Sequence, residues 1–259
     1  VLGLKWHMCT YPAHVDRNIS ASIQRSGAWE PAMVKQMLLA LRAHPNSTLI
    51  DIGGNIGYYA LAAAVDGHAV HTFEPVPLNA AMMQRSIARN RLRGITLHAM
   101  ALGDRVQEVP MGTDDTNQGG VSHDLQKNKG AAHSMTMLPA VLLDMLLKAP
   151  TSPLYIKIDI EGAECVALRG MADFLRTAPS IVGMNMEFAQ AKHCCAEWIQ
   201  DGAIFDVLHK KHGLCPDSGS YKNVCDSRKW DILWMPCEGK TTGASSYLAG
   251  DASRTNWYE

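Results

Sequence analysis

Asp51-Ile52-Gly53-Gly54-Asn55-Ile56-Gly57 directly follows the apolar run Thr48-Leu49-Ile50. A strand that turns through glycines into a helix brings bare backbone and a helix N-terminus close to a ligand. One βα unit later, Ala69-Val70-His71-Thr72-Phe73 ends in Glu74-Pro75, which sets a carboxylate where a ribose would present its two hydroxyls. The pair implies a nucleoside-containing cofactor. A dinucleotide is excluded, because G-x-G-x-x-G counted from Gly53 puts its second and third glycines on Asn55 and Tyr58. A polyphosphate is unsupported, since no G-K-[ST] follows the glycines and Tyr58-Tyr59 are bulky. The D-x-G-x-N-x-G turn suits S-adenosylmethionine, whose cationic amino group Asp51 would receive.

Reactivity should lie outside the carboxyl ends of the strands. Acids fall there at Asp51, at Glu74, at Asp159 with Glu161, and at Glu187 after Val182-Gly183-Met184-Asn185-Met186. A single such acid can simply cap the next helix; Asp159, Glu161 and Glu187 together, beside Lys157, point to chemistry. Methyl transfer from a sulfonium is an in-line displacement, so alignment is the main task. An alcohol acceptor must also lose a proton, which a carboxylate can take. Asp159 is the first candidate for that base. Glu161 and Glu187 would hydrogen-bond hydroxyls of a sugar-like acceptor; a divalent cation held by the same acids is the less favoured reading. Lys157 would neutralise this cluster or position the acceptor. His123 is a second base candidate, and Asn117-Gln118-Gly119-Gly120 offers amides and flexible backbone for a polar substrate.

These residues resemble the FkbM-type S-adenosylmethionine-dependent methyltransferases. The resemblance covers Trp29-Glu30-Pro31, Leu49 to Gly57, Phe73-Glu74-Pro75, Ala101-Leu102-Gly103-Asp104, Asn117 to Gly120 and, most specifically, Lys157-Ile158-Asp159-Ile160-Glu161-Gly162-Ala163-Glu164. It implies a seven-stranded methyltransferase fold and methyl transfer, commonly to a hydroxyl oxygen, with S-adenosylhomocysteine as product. The cofactor set it suggests is Glu30, Asp51, Gly53, Gly54, Asn55, Gly57, Tyr58, Glu74, Pro75, Ala101, Leu102 and Asp159, with Asp104 beside the adenine. The rival reading is a catalytically silent S-adenosylmethionine-binding interaction module within a larger protein, against which the intact set of acids argues.

Positioning these groups requires an α/β fold, and the pattern supplies one. Short apolar runs alternate with longer helical ones, the signature of a mostly parallel sheet with helices on both faces. Strands are expected at 48–52, 69–74, 95–101, 154–159, 180–188, 204–209 and 230–235, and helices at 57–65, 78–91, 138–147, 163–175 and 190–201. The last two strands have no helix between them, so they should pair antiparallel, as in class I methyltransferases with their Rossmann-like sheet. Residues 103–133 read as a long loop or irregular hairpin over the site. Residues 1–45 read as an N-terminal cap containing an amphipathic helix from Met33 to Leu41, and 46–259 as the methyltransferase domain.

A formal charge of -1 gives no broad footprint for nucleic acid, which favours a small-molecule or glycan acceptor. No stretch approaches the ~20 apolar residues of a membrane span. The chain begins at Val1 rather than Met, leaving room for an upstream signal, anchor or propeptide. Of seven cysteines, Cys165 lies within an expected helix; setting it aside leaves six for up to three disulfides. That leans toward a secretory lumen or the extracellular space, with the cytoplasm as the other possibility. The competing reading is a zinc ion on His209, His212, Cys215 and Cys225.

Overall fold

Thr48–Ile52 is buried along its whole length and forms the middle of a sheet covered on both faces. A computed structural model describes residues 1–112 and 135–238. In chain order they form α1 (Ile19–Ser26), α2 (Pro31–Arg42), β1 (Thr48–Ile52), α3 (Tyr58–Val65), β2 (Ala69–Phe73), α4 (Pro77–Arg89), β3 (Ile95–His98), β4 (Ala101–Leu102), β5 (Gln107–Gly112) and β6 (Met135–Val141). There follow α5 (Leu143–Leu146), β7 (Leu154–Ile158), α6 (Glu164–Arg169), α7 (Ala172–Thr177), β8 (Ile181–Glu187), α8 (Cys195–Trp198), α9 (Ile204–Lys210), β9 (Leu214–Pro216) and β10 (Asp231–Pro236).

The main sheet has the order β3-β2-β1-β7-β8-β10-β9, with β10 antiparallel to both its neighbours. This is the class I methyltransferase arrangement: mostly parallel, with the last strand of the chain reversed. Alternate residues feed two cores. Ile50, Ile52, Ile156 and Ile158 join one with α6, α7 and α9. Leu49, Val70 and Tyr155 join the other with Val34, Met37, Leu38 and Leu41 of α2 and the apolar face of α3. A separate side sheet has the order β4-β6-β5.

The expected strands β1, β2, β7, β8 and β10 and the expected helices α3 and α4 are present within a residue or two, and the expected amphipathic helix is α2. Five expectations need correction. The 95–101 strand is split into β3 and β4, which belong to different sheets. The 138–147 helix is instead β6 followed by the short α5; Leu138 and Ala140 are buried while Met137 and Pro139 face out, a period of two that pairs with β5. The 163–175 helix is broken at Gly170, where a Cβ would lie 1.8 Å from the Gly103 carbonyl oxygen. The 190–201 helix shrinks to a 3-10 turn and α8. The 204–209 strand is α9, because Ile204, Phe205 and Leu208 share one buried helical face; the partner of β10 is β9.

The cysteines pair as Cys165–Cys194, Cys195–Cys225 and Cys215–Cys237, leaving Cys9 as the free thiol among the described residues. The residue set aside from sequence is thus a disulfide partner, and Cys9 is the odd one out. The zinc set is overturned as well. Cys215 and Cys225 belong to different disulfides, and the His212 ring lies against Ile181 N and the Leu175 carbonyl. Each bridge closes a loop of a size that contributes about 2–4 kcal/mol. Under denaturing conditions a thiol reagent should titrate one cysteine before reduction and seven after it; seven before reduction would remove the bridges.

Candidate active site

The glycine turn is suspended between two strand ends. Gly53 N and Gly54 N both donate to the Phe73 carbonyl at the end of β2, at 3.0 and 2.9 Å. On its other side the turn touches the segment after β7. Gly53 has φ +84°, and a Cβ there would lie 1.8 Å from the Asp159 carbonyl oxygen. Asn55 also sits at positive φ, and Gly57, at φ +94°, packs on Met83. Glycine is needed here for closeness as much as for dihedral freedom.

Glu74 is buried and holds the turn from outside. Its Oε2 accepts from Asn55 N at 2.8 Å, while Oε1 accepts from Val76 N at 2.9 Å and Asn79 Nδ2 at 3.3 Å. Burial pushes its carboxyl up to about 7, opposed by these hydrogen bonds and by Lys157.

Beneath the turn, β2, β1 and β7 place Thr72, Asp51 and Lys157 at one register level. Thr72 Oγ1 donates to Asp51 Oδ2 at 3.1 Å. Lys157 Nζ donates to the Gly53 carbonyl at 2.9 Å and lies 3.2 Å from Asp159 Oδ2 and 3.9 Å from Asp51 Oδ1. Its ammonium also stands 5.3 Å from the centre of the Tyr59 ring. Burial works against that charge, but Asp159, Asp51 and Glu30 outweigh it and hold the lysine above its usual range. Asp51 is fully buried, and burial raises its carboxyl despite Lys157 and Thr72.

Above the turn lies a cavity of about 270 Å³ with an acidic wall. Glu30, at positive φ where α2 begins, accepts from Tyr59 OH at 2.6 Å. Burial raises this carboxyl, Asp159 raises it further, and Tyr59 and Lys157 oppose. Glu161 and Glu187 are bridged by Gln190, whose Nε2 donates to Glu161 Oε2 at 2.9 Å and to Glu187 Oε1 at 3.0 Å. Glu164, fully buried, accepts from Ile160 N and Gly162 N and so shapes the loop carrying Asp159 and Glu161. Trp230 and Asp231 complete the wall.

A second cavity of about 210 Å³ adjoins the first, sharing Gly53, Pro75, Met111 and Ile160. Ile52, Phe73, Leu102, Val109 and Val166 make it apolar, and Ala101 and Asp104 stand at its side.

Of the residues singled out from sequence, Glu30, Gly53, Gly54, Asn55, Tyr58, Glu74, Pro75, Lys157, Asp159, Glu161 and Glu187 line the acidic cavity. Ala101 and Leu102 line the apolar one. Asp51 lines neither: it faces Lys157 and Thr72 under the turn. Gly57 is likewise behind it. Asn117, Gln118, Gly119, Gly120 and His123 lie outside the described residues. Sequence reading missed Tyr59, Asn79, Trp230 and Asp231, all of which line the acidic cavity.

Residues 51–211 match the family described as the methyltransferase FkbM domain. A curated relative, Methyltransferase 1 of Beauveria bassiana (strain ARSEF 2860), is 26% identical over 148 residues, which are 49% of this chain and 59% of the relative. Among solved structures, an rRNA methylase from Streptococcus thermophilus overlays with a TM-score of 0.44 at 8% identity, covering 81% of this chain and 98% of that one. The C-terminal domain of precorrin-6Y C5,15-methyltransferase from Rhodobacter capsulatus gives 0.39 at 15% identity, covering 81% and 90%.

Proposed function

The chain belongs to the FkbM methyltransferase family, and on that premise we propose that it is an S-adenosylmethionine-dependent methyltransferase acting on a hydroxyl oxygen of a small, sugar-like acceptor. The observation that carries the reading is the pair of joined cavities at the strand ends, one acidic and one apolar. That division fits a cationic amino-acid and ribose portion on one side and a flat base on the other.

The cofactor supplies an electrophilic methyl group on a cationic sulfur; the protein's task is to grip and align. Glu74, its orientation fixed by Asn55 and Val76, keeps lone pairs for the ribose hydroxyls. Gly53 and Gly54 let the backbone come close. Glu30 and Asp159 place negative charge beside the sulfonium and ammonium, while the Leu102 side receives the adenine. Glu161, Glu187, Asp231 and the Trp230 ring are left to face the acceptor. Carboxylates that accept from hydroxyls beside an aromatic face suit a polyol with one apolar side.

Glu74→Ala should weaken S-adenosylhomocysteine binding by about ten- to a hundredfold, the value of hydrogen bonds to a charged group. Calorimetric affinity equal to that of the parent protein would remove the ribose role. The three disulfides support a setting in an oxidising compartment, the secretory lumen or the cell exterior. Among the described residues no helix is long and apolar enough to cross a membrane.

A further inference from the structure

Glu187 ends β8 and Asp231 opens β10, and the antiparallel register sets them directly opposite one another. Cross-strand neighbours of this kind have Cβ atoms about 4.5–5.5 Å apart, and both residues line the acidic cavity. The two oxygens of Glu187 differ. Oε1 is pinned by Gln190, whereas Oε2 is buried with no hydrogen-bond partner among the described residues, on a side chain of a residue that is 4% exposed. A buried acceptor without a donor is costly, and here it belongs to a residue on the cavity wall. Asp159 is differently placed: its Oδ2 lies 3.2 Å from Lys157 Nζ and is already engaged.

We propose that Glu187 Oε2, backed by Asp231, takes the hydroxyl proton of the acceptor, and that this pair exchanges a proton for the positive charge of the methyl donor. The inference rests on the proposed methyl transfer to oxygen. In that step the O–H bond breaks as the O–C bond forms, and the electron pair stays on oxygen. The carbon–sulfur electrons go to sulfur, and the proton passes to Glu187 Oε2. The proton then passes from Glu187 to Asp231, which is partly exposed, and from there to water. One positive charge leaves sulfur and one arrives on the pair, so the charge within the cavity is conserved.

The surroundings favour such an exchange. Burial, and then Asp159, Glu161 and Glu164, push the Glu187 carboxyl up to about 8, with Gln190 opposing. Burial, then Glu30 and Asp159, push Asp231 up to about 7, with Lys157 opposing and Asp217 adding to the rise. Near neutral pH the free site therefore holds a proton. A cation placed beside these acids lowers their affinity for it, and the proton leaves.

The sign gives a test that needs no acceptor. S-adenosylmethionine and S-adenosylhomocysteine are titrated calorimetrically between about pH 7 and 8, in buffers of different ionisation enthalpy. The sulfonium ligand should release a fraction of a proton that the neutral thioether does not. Glu187→Gln should remove the part of that difference that persists at about pH 8 while still binding the thioether, and once an acceptor is in hand should lower kcat by about 10²–10⁴. Asp231→Asn removes a neighbouring negative charge and should move the half-point of release to lower pH. Equal proton counts for the two ligands, release at about pH 8 that is undiminished in Glu187→Gln, or a half-point unmoved in Asp231→Asn would each overturn the assignment. Failure of both ligands to bind would instead remove the methyl-donor reading on which it rests.

Discussion

Gly53→Ala should abolish S-adenosylhomocysteine binding and lower stability by about 2–5 kcal/mol, the sum of a left-handed backbone penalty and overpacking. The added methyl carbon would lie 1.8 Å from the Asp159 carbonyl oxygen and 2.9 Å from Ile160 Cγ2, at φ +84°. Backbone cannot step aside as a flexible side chain can, so the turn itself must move. It is tied to the Phe73 carbonyl on one side and to Lys157 on the other, and motion there displaces Asn55 from Glu74. Gly67→Ala is the control, since φ is +95° and no atom lies within 4 Å of the added carbon. It should show the backbone penalty alone, about 1–2 kcal/mol. Thermal unfolding of both variants, with calorimetry of the ligand, separates the two contributions. If Gly53→Ala melts with Gly67→Ala and still binds, the close approach of the turn to the loop after β7 is not what shapes the site.

Much of this architecture was legible in the sequence because the central strands are buried on both faces. Leu49, Ile50 and Ile52, or Leu154, Ile156 and Ile158, form apolar runs too short for a helix and bounded by turn residues. The errors arose where a short apolar run fits both periods. Met135–Val141 followed by Leu142 and Leu143 is apolar nearly throughout, and pairing with β5 decides in favour of a strand. Ile204–Leu208 is similar, and packing of Phe205 on Trp198 and Trp234 decides in favour of a helix.

The site shows the same division. Acids at the carboxyl ends of parallel strands can be found from strand order alone, and Glu74, Asp159 and Glu187, found that way, all line the acidic cavity. Asp231 escaped because it begins its strand, and only a reversed strand brings its first residue to that edge of the sheet. Asp51 stands at a strand end as expected, and what its side chain faces there could not be read from the chain. Whether it faces the ligand or the sheet depends on Thr72 and Lys157 standing level with it, and that register is a property of the assembled sheet.

Lys157→Met tests that buried level, and the expected loss is about 3–5 kcal/mol, because it leaves Asp51 charged in the core without its cation. Asp51 is 0% exposed and its Oδ1 has no hydrogen bond among the described residues. Two consequences distinguish this cause from simple loss of packing. Burial already raises the Asp51 carboxyl in the folded protein, and removing Lys157 raises it further. An acid whose folded value exceeds its unfolded one destabilises above the unfolded value, increasingly up to the folded one. The deficit of Lys157→Met should therefore be largest at neutral and alkaline pH, and should shrink as pH falls toward about 4, the ordinary aspartate range. Adding Asp51→Asn should also restore much of the loss, since the uncompensated charge is then gone. Denaturant unfolding across pH measures both effects; a deficit independent of pH and untouched by Asp51→Asn would mean that the lysine acts through its methylene chain. Ligand binding should not recover in the double variant. The Gly53 carbonyl would still lack its donor and Asp159 its counter-ion, so one ammonium both neutralises the core below the turn and fixes the turn above it.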